Sequence, residues 1–336
     1  MTIGSGRCCF SRAWFWIAVA GWLLPKFAIA ECTLRTMELP VQVIDQRGIA
    51  TVTINGVQVP LMVNTGAFYS SLTPEAAERL QLHVIDAPIT LNVRGLTGRV
   101  DERVAKVDKL QILQGDISGI DFLVGGHARR GTMGVMGRNI LSFSDTEYDL
   151  VHGVIRFVRH DGECSNTNIA YWAQGGPVTE LRLQRSNAKF SPAIEAVASI
   201  NGQNLRVEFD TGAMSLVSKD AARRLGLVWD ESRAAGQLRG ADDGETPYWI
   251  ASIERFGLGD EEIRNSEIRI ADFDMHNGVD MLLGMDFFLS HRVYVSTVSR
   301  RVFFTYNGGK VFGLLAEGAP KGVAAPASGA SVEPGS

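Results

Sequence analysis

The sequence contains little of what marks several common protein classes. Only four of its 336 residues are cysteines, which is too few for a disulfide scaffold, and no CxxC pair or Cys/His cluster offers a zinc site. Excess positive charge is also missing, because 33 Lys and Arg stand against 37 Asp and Glu, a net charge of −4. Broad electrostatic binding of nucleic acid needs clustered positive charge and is therefore excluded. Nothing in the chain implies a metal or an organic cofactor.

Long apolar runs are absent except near the N-terminus. Two arginines precede the apolar run 13–24, and Ala28-Ile29-Ala30 places small residues at the spacing that a signal peptidase reads. A membrane-spanning helix needs about 20 apolar residues, and this run ends at Pro25. We therefore predict a signal peptide over residues 1–30, cut after Ala30. The mature protein is then periplasmic or secreted, with no stable membrane anchor.

The predicted cleavage leaves Cys32 and Cys164 as the cysteines of the mature chain. Two cysteines in an exported protein are a natural disulfide pair. We predict this bond, which would tie the mature N-terminus to the segment between the two halves of the chain. Two unpaired thiols are the alternative.

The chain contains an internal repeat, and its length also favours two domains. Three blocks recur in the same order at a nearly constant offset of 145 to 147 positions. We call the two sets of blocks the first copy and the second copy. The paired blocks are 54–67 with 200–213, 73–80 with 218–225, and 135–139 with 282–286.

Each copy has the local signals of a mostly β fold with few short helices. Val57–Val63 and Leu205–Phe209 are apolar and β-branched, as strands require, and each leads into a Thr-Gly-Ala turn. Thr73 and Ser218 are predicted N-caps of helices of two to three turns. We expect these helices to end near Leu82 and Leu227, and short strands at Val154–Val158 and Val302–Tyr306 to close each copy.

These motifs resemble the retropepsin-like aspartic proteases over most of residues 40–310. Asp210-Thr211-Gly212-Ala213 matches the catalytic loop of that family, Leu282-Leu283-Gly284 matches its apolar-apolar-Gly signature, and residues 137–141 match the corresponding retroviral segment. The resemblance implies an all-β fold of two tandem β-barrel lobes with short helices, in the bilobal pepsin-like arrangement. We divide the chain into lobe 1 (31–160), a linker (161–178), lobe 2 (179–316) and a disordered tail (317–336).

The resemblance also implies the site residues. In that family each copy contributes one aspartate to a site between the copies, and a hairpin flap closes over an extended peptide. Asp210 would be the catalytic aspartate, and Thr65 and Thr211 would cross-brace the two loops, together with Gly66 and Gly212. The flap and substrate-binding residues would be Gly95, Leu96, Thr97 and Gly98 in the first copy and Gly240, Ala241 and Asp242 in the second. No metal ligand is implied.

The first copy departs from the family pattern because Asn64 stands where the family has aspartate. Two carboxylates a few ångströms apart share one proton, so an aspartic pair acts as base and acid in one cycle. Asparagine can donate a hydrogen bond to Asp210 through its NH2 group, but it cannot give up or accept the catalytic proton. A site built from Asn64 and Asp210 should therefore be impaired by orders of magnitude.

Three functions remain open from sequence. The chain is an active peptidase if two molecules pair their second copies and bring Asp210 against Asp210 of a partner. It is a peptide-binding protein without turnover if the two copies form one degenerate site, where strand addition would supply affinity. It is a slow one-carboxylate hydrolase if another group assists Asp210. The prediction is an exported aspartic peptidase acting on peptide or protein substrates, and the alternative is a pseudo-protease that binds extended peptides in the cleft between the lobes.

Overall fold

The computed structural model describes residues 32–88, 91, 93–94, 99–100, 103–127, 131–162, 164, 169–184, 193–240, 244–273 and 278–313. The predicted signal peptide and the predicted tail lie outside the described residues, as do the hairpin tips at 95–98 and 241–243.

Strands account for most of the described chain. The first half contains β1 (Thr33–Ile44), β2 (Arg47–Ile54), β3 (Val57–Val63), β4 (Ser71–Leu72), α1 (Pro74–Arg79), β5 (Val84–Asp86), β6 (Val93–Arg94), β7 (Arg99–Val100), β8 (Arg103–Ile112), β9 (Gly115–Val124), β10 (Gly134–Met136), α2 (Arg138–Leu141), β11 (Asp145–Asp149) and β12 (Val154–Asp161). The second half contains β13 (Thr179–Arg182), β14 (Glu195–Ile200), β15 (Gln203–Phe209), β16 (Leu216–Ser218), α3 (Lys219–Arg224), β17 (Gly236–Arg239), β18 (Glu245–Leu258), β19 (Glu261–Ala271), β20 (Met281–Leu283), α4 (Met285–Ser290), β21 (His291–Ser296) and β22 (Arg301–Tyr306). Single 3-10 turns lie at Leu150–His152 and Tyr171–Ala173. The predicted all-β class is confirmed.

The two copies fold into two barrels of the same topology. The first barrel runs β2-β3-β10-β4-β9-β8 and closes where β8 pairs with β2, and the second runs β14-β15-β20-β16-β19-β18 and closes where β18 pairs with β14. In each barrel the strand that leads into the Thr-Gly-Ala turn lies parallel to the short apolar strand before the signature glycine, β3 with β10 and β15 with β20. The internal duplication predicted from the repeat is confirmed.

The strands at the ends of the copies lie outside the two barrels and pair with one another. β13, β22, β21, β11, β12 and β1 lie in this order in one sheet, and β11 pairs directly with β21 of the other half. The strands predicted at Val154–Val158 and Val302–Tyr306 are present as β12 and β22, and each pairs with strands of its own half, β12 with β1 and β11 and β22 with β13 and β21. Pairing between the halves hydrogen-bonds strand edges that each copy alone would leave open.

The helices after Thr73 and Ser218 are shorter than predicted. Both side chains act as N-caps, because Thr73 Oγ1 accepts from the Ala76 amide and Ser218 Oγ accepts from the Ala221 amide, each at 3.2 Å. Each helix has six residues and ends before Leu80 or Leu225. The chain then turns left-handed at Gln81 and Gly226, which stops the helix three residues before the expected end.

The disulfide ties the start of β1 to the segment between the halves, and the buried core joins the halves themselves. Cys32 and Cys164 are bonded, with their Cα atoms 4.9 Å apart, so the predicted pairing is confirmed. One buried apolar cluster extends from the first barrel through α4 into the second. Within it the rings of Tyr148 and Phe288 meet edge to face with centroids 5.5 Å apart. Each such buried side chain contributes about 1.5–3 kcal/mol, so the cluster holds the halves in one fixed arrangement.

Candidate active site

Two loops meet between the barrels, one at the end of β3 and one at the end of β15. The first carries Asn64 and the second carries Asp210. Each is held by the neighbouring parallel strand, because the Asn64 amide donates to the Met136 carbonyl and the Asp210 amide donates to the Leu283 carbonyl, both at 3.0 Å. The two candidate site residues therefore occupy equivalent positions at the ends of equivalent strands.

The threonines beside these residues brace the loops reciprocally. Thr65 Oγ1 donates to the Phe209 carbonyl at 2.7 Å and accepts from the Thr211 amide at 2.9 Å. In return, Thr211 Oγ1 donates to the Val63 carbonyl at 2.9 Å and accepts from the Thr65 amide at 3.1 Å. Both threonines are fully buried. Four hydrogen bonds inaccessible to water thus fix the position of each loop relative to the other.

The glycines of the two loops leave room for the side chain opposite. A Cβ atom on Gly66 would lie 2.3 Å from Cγ of Asp210, and one on Gly212 would lie 2.3 Å from Nδ2 of Asn64. Real Cβ atoms do not approach other atoms so closely, so neither position accepts a larger residue without displacing the site. Asn64 and Asp210 therefore face each other within a single chain, each against the other's loop.

The side chains of this pair use their oxygens in matching ways. Asn64 Oδ1 accepts from the amides of Gly66 at 2.8 Å and Ala67 at 3.0 Å. Asp210 Oδ1 accepts from the amide of Gly212 at 2.8 Å. Because the amide oxygen of Asn64 is occupied by its own loop, Nδ2 is the group it presents beside Gly212, and that group only donates hydrogen bonds.

Burial dominates the electrostatics of the remaining carboxylate. Removal from water raises the pKa of Asp210 above its ordinary value. The Gly212 N–H opposes this rise, followed by the positive charges of Arg47 and Arg138 and by the Gly66 N–H. The result is a carboxylate that is a stronger base than a free aspartate. It can take a proton from water more readily once it is ionised.

A serine behind each loop supports the signature segment of its copy through hydrogen bonds that we call the serine clamp. In the first copy Asn139 Oδ1 accepts from Ser70 Oγ at 2.7 Å, and Ser70 Oγ accepts from the Gly137 amide at 2.9 Å. In the second copy Asp286 Oδ1 accepts from Ser215 Oγ at 2.6 Å, and Ser215 Oγ accepts from the Gly284 amide at 2.9 Å. Sequence reasoning missed both serines, although their offset of 145 fits the repeat and could have identified them.

The predicted hairpins are present where the structure describes them. β6 pairs with β7 on either side of residues 95–98, and β17 pairs with β18 on either side of residues 241–243. Gly240 itself is described, and its amide donates to the Gly244 carbonyl at 3.0 Å. The remaining predicted flap residues, Gly95, Leu96, Thr97, Gly98, Ala241 and Asp242, lie outside the described residues.

The described residues show neither a metal-binding cluster nor a membrane-spanning helix. They contain no group of three or more His, Cys, Asp or Glu side chains placed to bind a metal ion. Within the same residues, no helix combines the length and apolarity needed to cross a membrane.

Comparison with family models identifies the family of the chain. The sequence model of the aspartyl protease family matches the chain twice, over residues 50–143 and 196–287. Among solved structures, the chain resembles that of an aspartic proteinase from Irpex lacteus with 11% identity and a TM-score of 0.49, over 81% of this chain and 97% of that one. No curated protein matches the sequence. Because the two family matches cover more than half of the chain and coincide with its two copies, the chain belongs to the retropepsin-like aspartyl protease family.

Proposed function

We propose that this protein is an exported aspartic-type endopeptidase in which Asp210 activates the water that attacks a peptide bond. The observation that carries the proposal is the placement of one buried carboxylate, Asp210, against the Asn64 side chain in a pair of cross-braced loops. The disulfide between Cys32 and Cys164 supports export, because such bonds persist in oxidising compartments.

One carboxylate is sufficient to balance the reaction. Ionised Asp210 takes a proton from water as the hydroxide oxygen bonds to the peptide carbonyl carbon, and the carbonyl π electrons move to its oxygen. Asn64 Nδ2 donates a hydrogen bond to that oxygen. The protonated Asp210 then gives its proton to the amide nitrogen as the C–N bond breaks and the oxyanion re-forms a carbonyl. The products are a carboxylic acid and an amine, and Asp210 is ionised again.

Asn64 slows the reaction because it leaves the intermediate negatively charged. A second carboxylic acid would transfer its proton to the developing oxyanion and give a neutral intermediate. Asparagine leaves that oxygen charged and stabilises it by a hydrogen bond alone. Loss of one general acid typically slows a reaction by about 10²–10⁴-fold, so we expect slow turnover.

Peptide binding without turnover is the second candidate, and Asn64 is the observation that favours it. The reciprocal hydrogen bonds of Thr65 and Thr211 are kept, so the pair has lost a proton carrier while the bracing of its loops remains. In this case an extended peptide would bind between the barrels by strand addition and dissociate without being cleaved.

Cleavage of a peptide library by the purified, oxidised mature chain tests the proposal, with Asp210→Ala as the paired variant. The proposal expects slow cleavage by the natural protein that disappears in Asp210→Ala. Binding of peptides by both proteins with no product from either would favour the second candidate. Sedimentation of the active sample checks the dimer hypothesis: activity that depends on dimer formation would mean that Asp210 pairs with Asp210 of a second molecule.

A further inference from the structure

The positive charges that act on Asp210 come from the opposite copy. Arg47 and Arg138 both stabilise the ionised carboxylate, and both belong to the copy that lacks a carboxylate of its own. At the matching positions of the second copy, the offsets of 146 and 147 place Ala193 and Met285, which carry no charge. The copy that lacks the carboxylate is therefore the copy that supplies the positive charges.

Arg138 touches both sides of the site with one guanidinium group. It is the first residue of α2, and its side chain is 5% exposed. Its Nη1 donates to the carbonyl of Thr65, next to Asn64, and lies 3.4 Å from Oε1 of Glu208, two residues before Asp210. Because the guanidinium is rigid and planar, these contacts link the Asn64 loop to the strand that carries Asp210.

The partner of Arg138 is a carboxylate in an unusual place. Glu208 of β15 is 2% exposed, and its register partner on β14 is Glu195, another buried carboxylate, which is paired with Arg206. At the matching position of the first copy the offset of 146 places Met62, which is also buried. A methionine packs this position in one copy, so packing alone does not require an ion pair in the other.

We propose that Arg138 is a positioning residue for Asp210, which links the two loops through Thr65 and Glu208 and places a fixed positive charge beside the single carboxylate. The inference rests on the proposed function, in which ionised Asp210 is the base. In a two-aspartate site a shared proton limits the charge of the pair. Here the opposite copy supplies a cation in place of that second carboxylic acid.

The proposal predicts opposite effects for the two partners. When both Arg138 and Glu208 are replaced by methionine, as at the matching positions of the other copy, Asp210 loses its cation and its pKa should rise. When only Glu208 is neutralised, Arg138 keeps its charge without a counter-charge, and the pKa of Asp210 should fall. The rise in the double variant is the diagnostic shift, because loss of the negative charge of Glu208 lowers the pKa of Asp210 whatever the role of Arg138, and a merely structural role of Arg138 predicts no rise.

The experiment compares Arg138→Met/Glu208→Met and Glu208→Gln with the natural protein. The direct readout is the titration of the Asp210 carboxyl carbon by NMR, assigned by its disappearance in Asp210→Asn. Glu208→Gln keeps the volume of the side chain and is expected to fold even if the double variant does not. Lys109→Met/Asp116→Met is the matched control, because it removes the same two charges from an exposed pair.

The expected result is a titration midpoint that moves up in the Arg138/Glu208 double variant, down in Glu208→Gln, and not at all in the control. The peptide cleavage rate of the double variant should fall by roughly tenfold or more, because its loops lose a positioning contact. An Asp210 midpoint that does not rise in the folded double variant, or that does not fall in Glu208→Gln, would overturn the proposal. The NMR titration needs no turnover, so it tests the role of Arg138 independently of the proposed function. If the Asp210 midpoint moves as predicted but no peptide is cleaved, the proposed function fails and the role of Arg138 stands.

Discussion

The two copies share everything that builds the fold and differ in what performs the chemistry. Both have the same six-strand barrel, the same bracing threonine and the same serine clamp behind the loop. They differ at matched positions around the site, among them Asn64 against Asp210, Arg138 against Met285, and Met62 against Glu208. The difference teaches that loop geometry does not depend on proton transfer, because the first copy keeps the braced loop with an asparagine in place of the aspartate.

Restoring the second carboxylate should give the largest change. Asn64→Asp makes the pair symmetric, so one proton is shared and the second carboxylic acid can neutralise the intermediate. We expect cleavage at acid pH to rise by roughly 10²–10⁴-fold. The pH profile should also change from the single rising limb of a lone base to a bell, which kcat/KM measured from acid to neutral pH will show.

Asn139→Asp is the control for that substitution. It adds the same charge to the same copy and makes the serine clamp identical to that of Asp286 in the second copy. A similar gain of activity in this variant, or none in Asn64→Asp, would show that the missing carboxylate is not what separates the copies.

The glycines across the site offer the next largest effect. Gly66→Ala forces a methyl group onto the Asp210 carboxylate, whereas Gly212→Ala forces one onto the Asn64 amide. We expect kcat to fall by about 10²-fold or more in Gly66→Ala, since the base itself is displaced, and by less in Gly212→Ala. Gly115→Ala is the control because its new methyl group would meet its nearest atom at 3.6 Å. Equal losses in both site variants would argue that Asn64 is as important as the base.

Sequence patterns predicted these loops well because they depend on local spacing. The Thr-Gly-Ala turns, the repeat and the role of Thr65 and Thr211 follow from short motifs and a family resemblance. The pairing of β11 with β21 could not be predicted in this way, because neither copy contains a signal for contact with the other. The Arg138–Glu208 pair was missed for the same reason, since the two residues are 70 positions apart and join different copies.

The bracing threonines test whether the copies are mechanically equivalent. Thr65→Val and Thr211→Val each remove one hydroxyl that donates one hydrogen bond and accepts another in a buried setting. Each should lower the free energy of unfolding by about 1–3 kcal/mol, measured by denaturant titration. The double variant should lose less than the sum, because the four bonds form one network. Strict additivity, or a large effect of only one threonine, would contradict a reciprocal brace.

The smallest expected effect is on the free energy of unfolding, which the burial of the ionised Asp210 carboxylate lowers. Because burial raises the pKa of Asp210, the folded protein binds its proton more tightly than the unfolded chain does. This contribution to stability is therefore greatest in acid and is lost as the pH rises from the ordinary aspartate value through the folded pKa. Asp210→Asn removes the titration, and Asn64 already shows that an amide oxygen can accept the loop hydrogen bonds at the matching position.

Asp210→Asn should therefore be inactive yet more stable than the natural protein at neutral pH, by about 1 kcal/mol, and equal to it in acid. Unfolding measured across this pH range checks the prediction, with Asp220→Asn at a site whose side chain is 97% exposed as the control. A natural protein that is the more stable of the two at neutral pH would mean that Arg47 and Arg138 outweigh the desolvation of the carboxylate. The stabilisation of the Asp210 charge by the first copy would then exceed the cost of its burial, and the two copies would be coupled more tightly than their matching loops require.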